Sequence, residues 1–262
     1  MNSQLTYDAY GDANNPALIL IHPFPFRAQF WSALAPQIAE AGYFVVAPNL
    51  RGCATSPLGN EAPSMNVLAG DVWSLADSIN LRNPIVMGVS LGGYVTLAMA
   101  RTRSEHLAGI GLIDTKASAD SPAAIRNRQR IAREIQYDLT PVQYAEQMLP
   151  TLLSPYTHEH RPNVVAQVRE WISASNAESI AWLQEAMASR VDSSEVLAQF
   201  EKPVLLVRGV DDVVSKPEDF QHMQDLCDVA TFFEIPTCGH LPPIEDPEAT
   251  GQAILSWLTS TS

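Results

Sequence analysis

The chain has 262 residues, 46% of them hydrophobic and 17% charged, which suits one large domain with a sizeable core and excludes a disordered chain. Its formal net charge at pH 7 is −13, and an acidic surface repels phosphate, so neither nucleic acid nor an anionic membrane is an expected partner. Three cysteines, Cys53, Cys227 and Cys238, are too few and odd in number for a disulfide framework, so free thiols in a reducing compartment are expected.

The start, Met1-Asn2-Ser3-Gln4-Leu5-Thr6, carries neither a basic region nor an apolar run, and no stretch approaches the ~20 apolar residues of a membrane span. A cytoplasmic location is the expectation. Leu18-Ile19-Leu20-Ile21 reads as a strand buried on both faces and ended by a proline-rich turn. A helix is expected over 30–41, closed by Gly42, and then a strand over 43–47, stopped by Pro48. Val67, Val72, Leu75, Ala76 and Ile79 recur near the helical period and predict a helix over 66–79. Strand 84–89, helix 91–101 and strand 109–113 follow.

From about 115 to 200 only helical patterns remain. Thr140-Pro141 has the form of an N-cap with proline at the first helical position, and Ile180, Leu183 and Met187 share one helix face. Val204-Leu205-Leu206-Val207 resumes the strand pattern, followed by helix 217–227, strand 231–235 and helix 247–258. No repeat, low-complexity tract or long linker interrupts the series. The alternation predicts an α/β fold, a mostly parallel central sheet with helices on both faces, formed by residues 1–114 and 201–262. Residues 115–200 are an inserted helical segment packed over one edge of the sheet. Ligands in such folds bind at the carboxyl ends of the strands.

Gly88-Val89-Ser90-Leu91-Gly92 carries the strongest chemical signal. It matches G-x-S-x-G, follows an apolar strand and opens a helix. A serine nucleophile there sits on a tight, strained turn that needs glycines for close backbone approach, and the turn aims a helix N-terminus at the oxygen that gains charge. Serine needs a positioned base. Gly239-His240-Leu241 follows the final strand, which makes His240 the best placed of the six histidines. The base needs an acid to hold its tautomer. Gly209-Val210-Asp211-Asp212 lies between nucleophile and base in the chain; Asp212 is favoured over Asp211, and Asp114, at the end of an earlier strand, is a further candidate. Cys238 lacks a base of its own and reads as a structural thiol. His158-Glu159-His160 is no zinc site on its spacing, since i and i+2 do not share a helix face, and reads as a polar loop; no metal is expected.

These motifs, with His22-Pro23-Phe24-Pro25, Arg51-Gly52-Cys53-Ala54-Thr55-Ser56 and the Glu245 and Pro247 behind His240, resemble the α/β-hydrolase fold superfamily along nearly the whole chain. The likeness is to its serine esterase and enol-lactonase branch with a helical cap. The resemblance implies that 115–200 is a cap domain covering the active site, that the acid lies three residues after a glycine, as Asp212 does, and that the second oxyanion donor belongs to the His22 turn. Pro23 and Pro25 have no N–H to give, which leaves Phe24 paired with the backbone N–H of Leu91. His22 itself reads as a structural turn histidine. Three positions depart from the family's usual pattern: Pro23 for glycine, Asn49 for aspartate and Ala54 for a second glycine.

The expected function is a cofactor-independent serine esterase acting on a small apolar ester or lactone through an acyl-enzyme on Ser90. Relatives that open epoxides or displace halide use aspartate at the nucleophile position, so those reactions are disfavoured, and the chain has no phosphate-cradling loop and no dinucleotide fingerprint. Phe26, Tyr144, Met148, Trp171 and Trp182 are candidates to line an apolar substrate pocket. Enol-lactonase, C–C bond hydrolase and cofactor-free perhydrolase or haloperoxidase activities would use the same residues, and a non-catalytic receptor is the alternative of a different class. The sequence gives no sign of oligomeric state.

Overall fold

Unalternating apolar runs become strands buried on both faces, because helices cover both sides of a parallel sheet. In the computed structural model, which describes residues 5–261, seven strands are formed. They are β1 (Tyr7–Tyr10), β2 (Ala17–Ile21), β3 (Phe44–Pro48), β4 (Ile85–Val89), β5 (Gly109–Ile113), β6 (Val204–Gly209) and β7 (Ala230–Ile235). Residues 1–4 of the stretch read above for a targeting signal, and residue 262, lie outside the described residues. The spatial order is β1-β3-β2-β4-β5-β6-β7. β1 runs antiparallel to β3 and every other neighbour is parallel. β1 is a correction to the sequence reading: Tyr7-Asp8-Ala9-Tyr10 is a short, largely exposed edge strand without an apolar run to announce it.

Successive strands reverse direction across the sheet at one point. The chain moves outward from β2 to β3, then crosses to β4 on the other side of β2. The crevice between the carboxyl ends of β2 and β4 is therefore the place where this topology receives ligands. The turn holding His22 and Phe24 leaves β2 there, and Ser90 leaves β4.

The core helices are α1 (Ala35–Glu40), α2 (Met65–Ser78) and α3 (Leu91–Arg103). The helix expected over 30–41 is divided into a 3₁₀ turn, Ala28–Trp31, and α1. Pro36 supplies no N–H for a bond to the preceding turn, so the helix restarts around it. Between β5 and β6 come α4 (Pro122–Tyr137), α5 (Pro141–Leu152), α6 (Pro155–His160), α7 (Pro162–Ser173), α8 (Ala177–Ala188) and α9 (Ser194–Ala198). α10 (Pro217–Leu226), α11 (Pro242–Glu245) and α12 (Pro247–Ser260) complete the chain.

Within the insertion, α4 packs along α8 and α5 along α7. Side-chain hydrogen bonds tie it to the core loops: Ser179 Oγ donates to Gly52 O (2.6 Å), Ser175 Oγ to Pro25 O (2.9 Å) and Trp182 Nε1 to Glu61 O (3.0 Å). His158-Glu159-His160 lies in α6 and not in a loop, started by the Ser154 cap and Pro155. No helix among the described residues is long and apolar enough to cross a membrane.

Candidate active site

Ser90 caps α3 with φ 53° and ψ −111°, a left-handed conformation that a non-glycine residue holds only when its surroundings impose it. The flanking glycines allow it. A Cβ on Gly92 would lie 2.2 Å from Ile21 O, and one on Gly88 would lie 2.1 Å from Gly92 C. The neighbouring strand fixes the turn from the other side: Ser90 N donates to Ile113 O (2.9 Å), and Thr115 Oγ1 donates to Ser90 O (2.8 Å).

The parallel register carries this pattern across the sheet. Val89 stands opposite Ile113, and Ile113 opposite Val207, so the loops leaving β4, β5 and β6 start level with one another. Asp114 N donates to Val207 O (2.9 Å) and Val210 N to Ile235 O (3.0 Å), extending the ladder past the strand ends. Ser90, Asp114, Asp212 and His240 thus follow β4, β5, β6 and β7 in their spatial order.

Of the two adjacent aspartates, Asp212 is buried and Asp211 exposed, and it is Asp212 that meets the histidine: His240 Nδ1 lies 2.9 Å from Asp212 Oδ2. Asp212 also accepts from Val214 N (2.7 Å) and Ser215 N (3.1 Å). Burial pushes the Asp212 carboxyl up, but the His240 charge and hydrogen bonds from His240, Asp114 and Val214 outweigh it and hold it below the ordinary value.

Asp114 does not contact the base as the acid would. It is fully buried, with φ 40°, and its Oδ1 accepts from Gly209 N (2.9 Å). As a carboxylate its Oδ2 has no partner among the described residues. Burial, and next the charge of Asp212, hold its pKa well above the usual carboxylate range. Protonation resolves both facts, because a neutral carboxyl donates to Asp212. Ligating atoms of Asp114, Asp212 and His240 lie within 4.8 Å of one another, the one such grouping of metal-ligand residue types among the described residues, and His158 and His160 stand apart from it.

Ser90 and His240 line one cavity of about 360 Å³ with Phe24, Tyr94, Tyr144, Met148 and Arg128. Among the described residues no hydrogen bond joins Ser90 Oγ to His240, and such contacts are often long before substrate binds. The backbone N–H groups of Phe24 and Leu91, both in buried residues, have no protein acceptor among the described residues, an uncommon state for buried amides.

Of the expected pocket residues, Tyr144 and Met148 line this cavity. Phe26 and Trp171 do not. They pack edge to face at 6.1 Å, joining the β2 turn to α7, and line a separate cleft of about 130 Å³ with Cys53 and Ser179. Trp182 lines neither, since its Nε1 is committed to Glu61 O and its ring lies 5.8 Å from the Arg51 guanidinium. Helix-face spacing identifies buried aromatics without saying which side of the insertion they face.

His22 is a turn histidine. Leu50 N donates to its Nε2 (3.0 Å), so Nδ1 carries the proton toward Pro23 O (2.9 Å). Burial lowers its pKa to about 4. Asn49 does structural work, accepting from Ala28 N (2.8 Å) and donating to Thr6 Oγ1 (3.0 Å). Cys53, Cys227 and Cys238 are buried and unpaired, and burial raises all three thiols, which opposes a thiolate at Cys238.

Glu245, named with the motif behind His240, and Arg128, which belongs to no motif, complete the surroundings of the site. Glu245 is buried and accepts from Gly239 N (2.8 Å), Leu241 N (3.2 Å), Ser154 N (2.8 Å) and Thr157 Oγ1 (2.7 Å), locking the His240 loop to the start of α6. Arg128 brings a cation to the cavity from α4, a helix that carries Arg126, Arg128, Arg130 and Arg133 in an acidic chain; that concentration of arginine was the available signal.

A strained serine on a strand-to-helix turn, at the switch point of a mostly parallel sheet, defines a class of enzyme. The sequence profile of the alpha/beta hydrolase fold matches residues 16–247, and the chain belongs to that family. It is similar to 3-oxoadipate enol-lactonase 2 of Acinetobacter baylyi, 27% identical over 254 residues that cover 95% of this chain and 91% of that protein. A putative carbamate hydrolase of Variovorax paradoxus is 23% identical over 98% of this chain and 97% of its own. Among solved structures, a thermophilic esterase from Thermogutta terrifontis, with malate bound, superimposes with a TM-score of 0.93 at 33% identity, covering 98% of this chain and 93% of that one.

Proposed function

We propose that the chain is a serine hydrolase cleaving carboxylic esters through an acyl-enzyme on Ser90, with Asp212 and His240 completing the catalytic residues. The observation that carries this reading is the strained Ser90 facing one cavity with His240, whose Nδ1 is tied to Asp212. With Nδ1 protonated and bonded to Asp212, Nε2 is left free to accept the serine proton. Ser90 Oγ attacks the carbonyl carbon while His240 takes its proton, and Asp212 stabilises the imidazolium. The carbonyl oxygen becomes an oxyanion, for which the unclaimed N–H groups of Phe24 and Leu91 are the donors, each worth roughly 3 kcal/mol. His240 then returns the proton to the leaving alcohol, and water resolves the acyl-enzyme by the reverse route. Residues 115–200 act as the cap, since α4, α5 and α8 supply much of the cavity wall.

An ester or lactone is favoured over other acyl substrates by the names of the relatives, an esterase and an enol-lactonase. Turnover of p-nitrophenyl esters of increasing acyl length, with Ser90→Ala alongside, tests the reading. The variant should fold and lose on the order of 10³-fold or more in kcat. A folded variant with wild-type turnover would refute Ser90 as nucleophile. If the wild type neither turns over esters nor reacts with a fluorophosphonate, the receptor reading replaces this one.

A further inference from the structure

In a chain of net charge −13, the cavity that holds Ser90 and His240 is lined, among the described residues, by no aspartate or glutamate, and its one permanently charged lining residue among them is Arg128. The arginine is anchored from behind: its Nε donates to the buried Asp120 Oδ2 (2.5 Å). Asp120 does not spend its charge on Arg128 alone. Arg190 Nη2 donates to its Oδ1 (2.6 Å), and Lys116 Nζ lies 3.9 Å away. Three cations therefore surround one carboxylate. Burial would raise the Asp120 pKa, yet Arg128, Arg190 and Lys116 together hold it below the ordinary value, so it stays ionised and the wall keeps a positive excess. Arg190 is itself fixed, stacked 4.1 Å from the centroid of Tyr94, another lining residue.

The outer edge of the Arg128 guanidinium is left available. Nη1 meets only Gln184 Oε1 at 3.4 Å and the sulfur of Met187 at 3.1 Å, both weak partners for a cation, and Nη2 has no protein acceptor among the described residues. The amides of Asn127, Gln147 and Gln184 line the same cavity. A planar fork with spare N–H donors, flanked by neutral amides, matches the two oxygens of a carboxylate.

We propose that Arg128 is a specificity residue, binding a carboxylate carried by the substrate at the end remote from the ester or lactone carbonyl that Ser90 attacks. The substrate class is thus a half-ester of a dicarboxylic acid or a lactone bearing a carboxylate. This rests on the reading of Ser90 as nucleophile.

The test compares p-nitrophenyl valerate with mono-p-nitrophenyl glutarate, which replaces the terminal methyl by a carboxylate. Wild-type kcat/KM should favour the glutarate by about 10- to 100-fold, the range of a hydrogen bond to a charged group, and the preference should shrink at high salt. Arg128→Met should lower that preference at least about tenfold, chiefly through KM, while Arg128→Lys should retain part of it as a charge without the fork. Circular dichroism checks that each variant folds. A wild type that does not prefer the glutarate, or a folded Arg128→Met with the preference intact, overturns the proposal. If neither ester is turned over, the catalytic reading fails separately, and calorimetric titration of the wild type with glutarate decides the subsite: binding lost in Arg128→Met sustains it, and no binding overturns it.

Discussion

Ser90, Asp114, Asp212 and His240 stand on the ends of four adjacent parallel strands, whereas Tyr144, Met148, Arg128 and Gln184 reach the same cavity from helices of the insertion. Ser90, Asp114 and the turn before Asp212 are located by main-chain hydrogen bonds that continue the sheet ladder beyond its strands, while His240 N donates to Leu152 O of α5 and its loop is held by Glu245. The positions of Ser90 and Asp114 follow from the register of β4, β5 and β6. The second group depends on how α4, α5 and α8 lie against one another and on a few ties to core loops. Under the proposed function, the strand ends place the reacting groups and the insertion sets what approaches them, so changes to Tyr144, Met148 or Gln184 should alter substrate preference more than the chemical step.

Glu245 is where that division can be broken most severely, because one buried carboxylate holds both the His240 loop and the start of α6. Glu245→Ala strands four donors, and a loss of roughly 4 kcal/mol is expected, which for a domain of this size lowers Tm by about 10 °C. Hydrogen exchange sharpens the comparison. Faster exchange confined to α6 and residues 237–241, with β2 to β6 still protected, would mean that the insertion opens independently of the sheet. Uniform loss of protection would mean that both regions unfold as one unit.

The sheet side has its own acid-sensitive element. His22 is neutral in the fold with a pKa of about 4, against an ordinary value of 6.5. Between those limits the unfolded chain binds the proton and the folded chain does not, so stability rises with pH through the window and is lost as pH falls from 6.5 toward 4. The full effect is about 3 kcal/mol. Denaturant unfolding at several pH values measures the slope, which His22→Asn should flatten. A slope unchanged in a folded variant would assign the acid sensitivity elsewhere.

What the sequence disclosed follows the same boundary. Buried strands are continuous apolar runs, and the site residues sit just past them, so β2 to β7, Ser90 and His240 could be located without coordinates. The edge strand β1 could not, having polar and exposed residues and gaining its definition only from pairing with β3. In the insertion, Ser121-Pro122 and Ser154-Pro155 repeat the cap-and-proline pattern recognised at Thr140-Pro141, so helix starts were legible. Which helix face meets the cavity was not. Phe26, Trp171 and Trp182 look like pocket residues by type, and long-range packing turns them away.

Asp114 provides the finest test of the strand-end group, since its role rests on a proton. Folding raises its pKa through burial and then the charge of Asp212. The folded state therefore keeps a proton that the unfolded state releases near the ordinary carboxylate pKa, and stability falls as pH rises above that value. Asp114→Asn removes this term while keeping a donor toward Asp212 and an acceptor for Gly209 N. Its stability relative to wild type should be lowest near pH 4 and should grow as the pH is raised toward neutrality. Asp114→Ala deletes the donor, and a loss of about tenfold in kcat is expected, most of it restored by asparagine, as for other residues that orient a catalytic group from behind. An asparagine variant as impaired as alanine, with a pH–stability curve parallel to wild type, would mean that Asp114 is ionised in the fold and that Asp212 is oriented by its backbone donors and His240 alone.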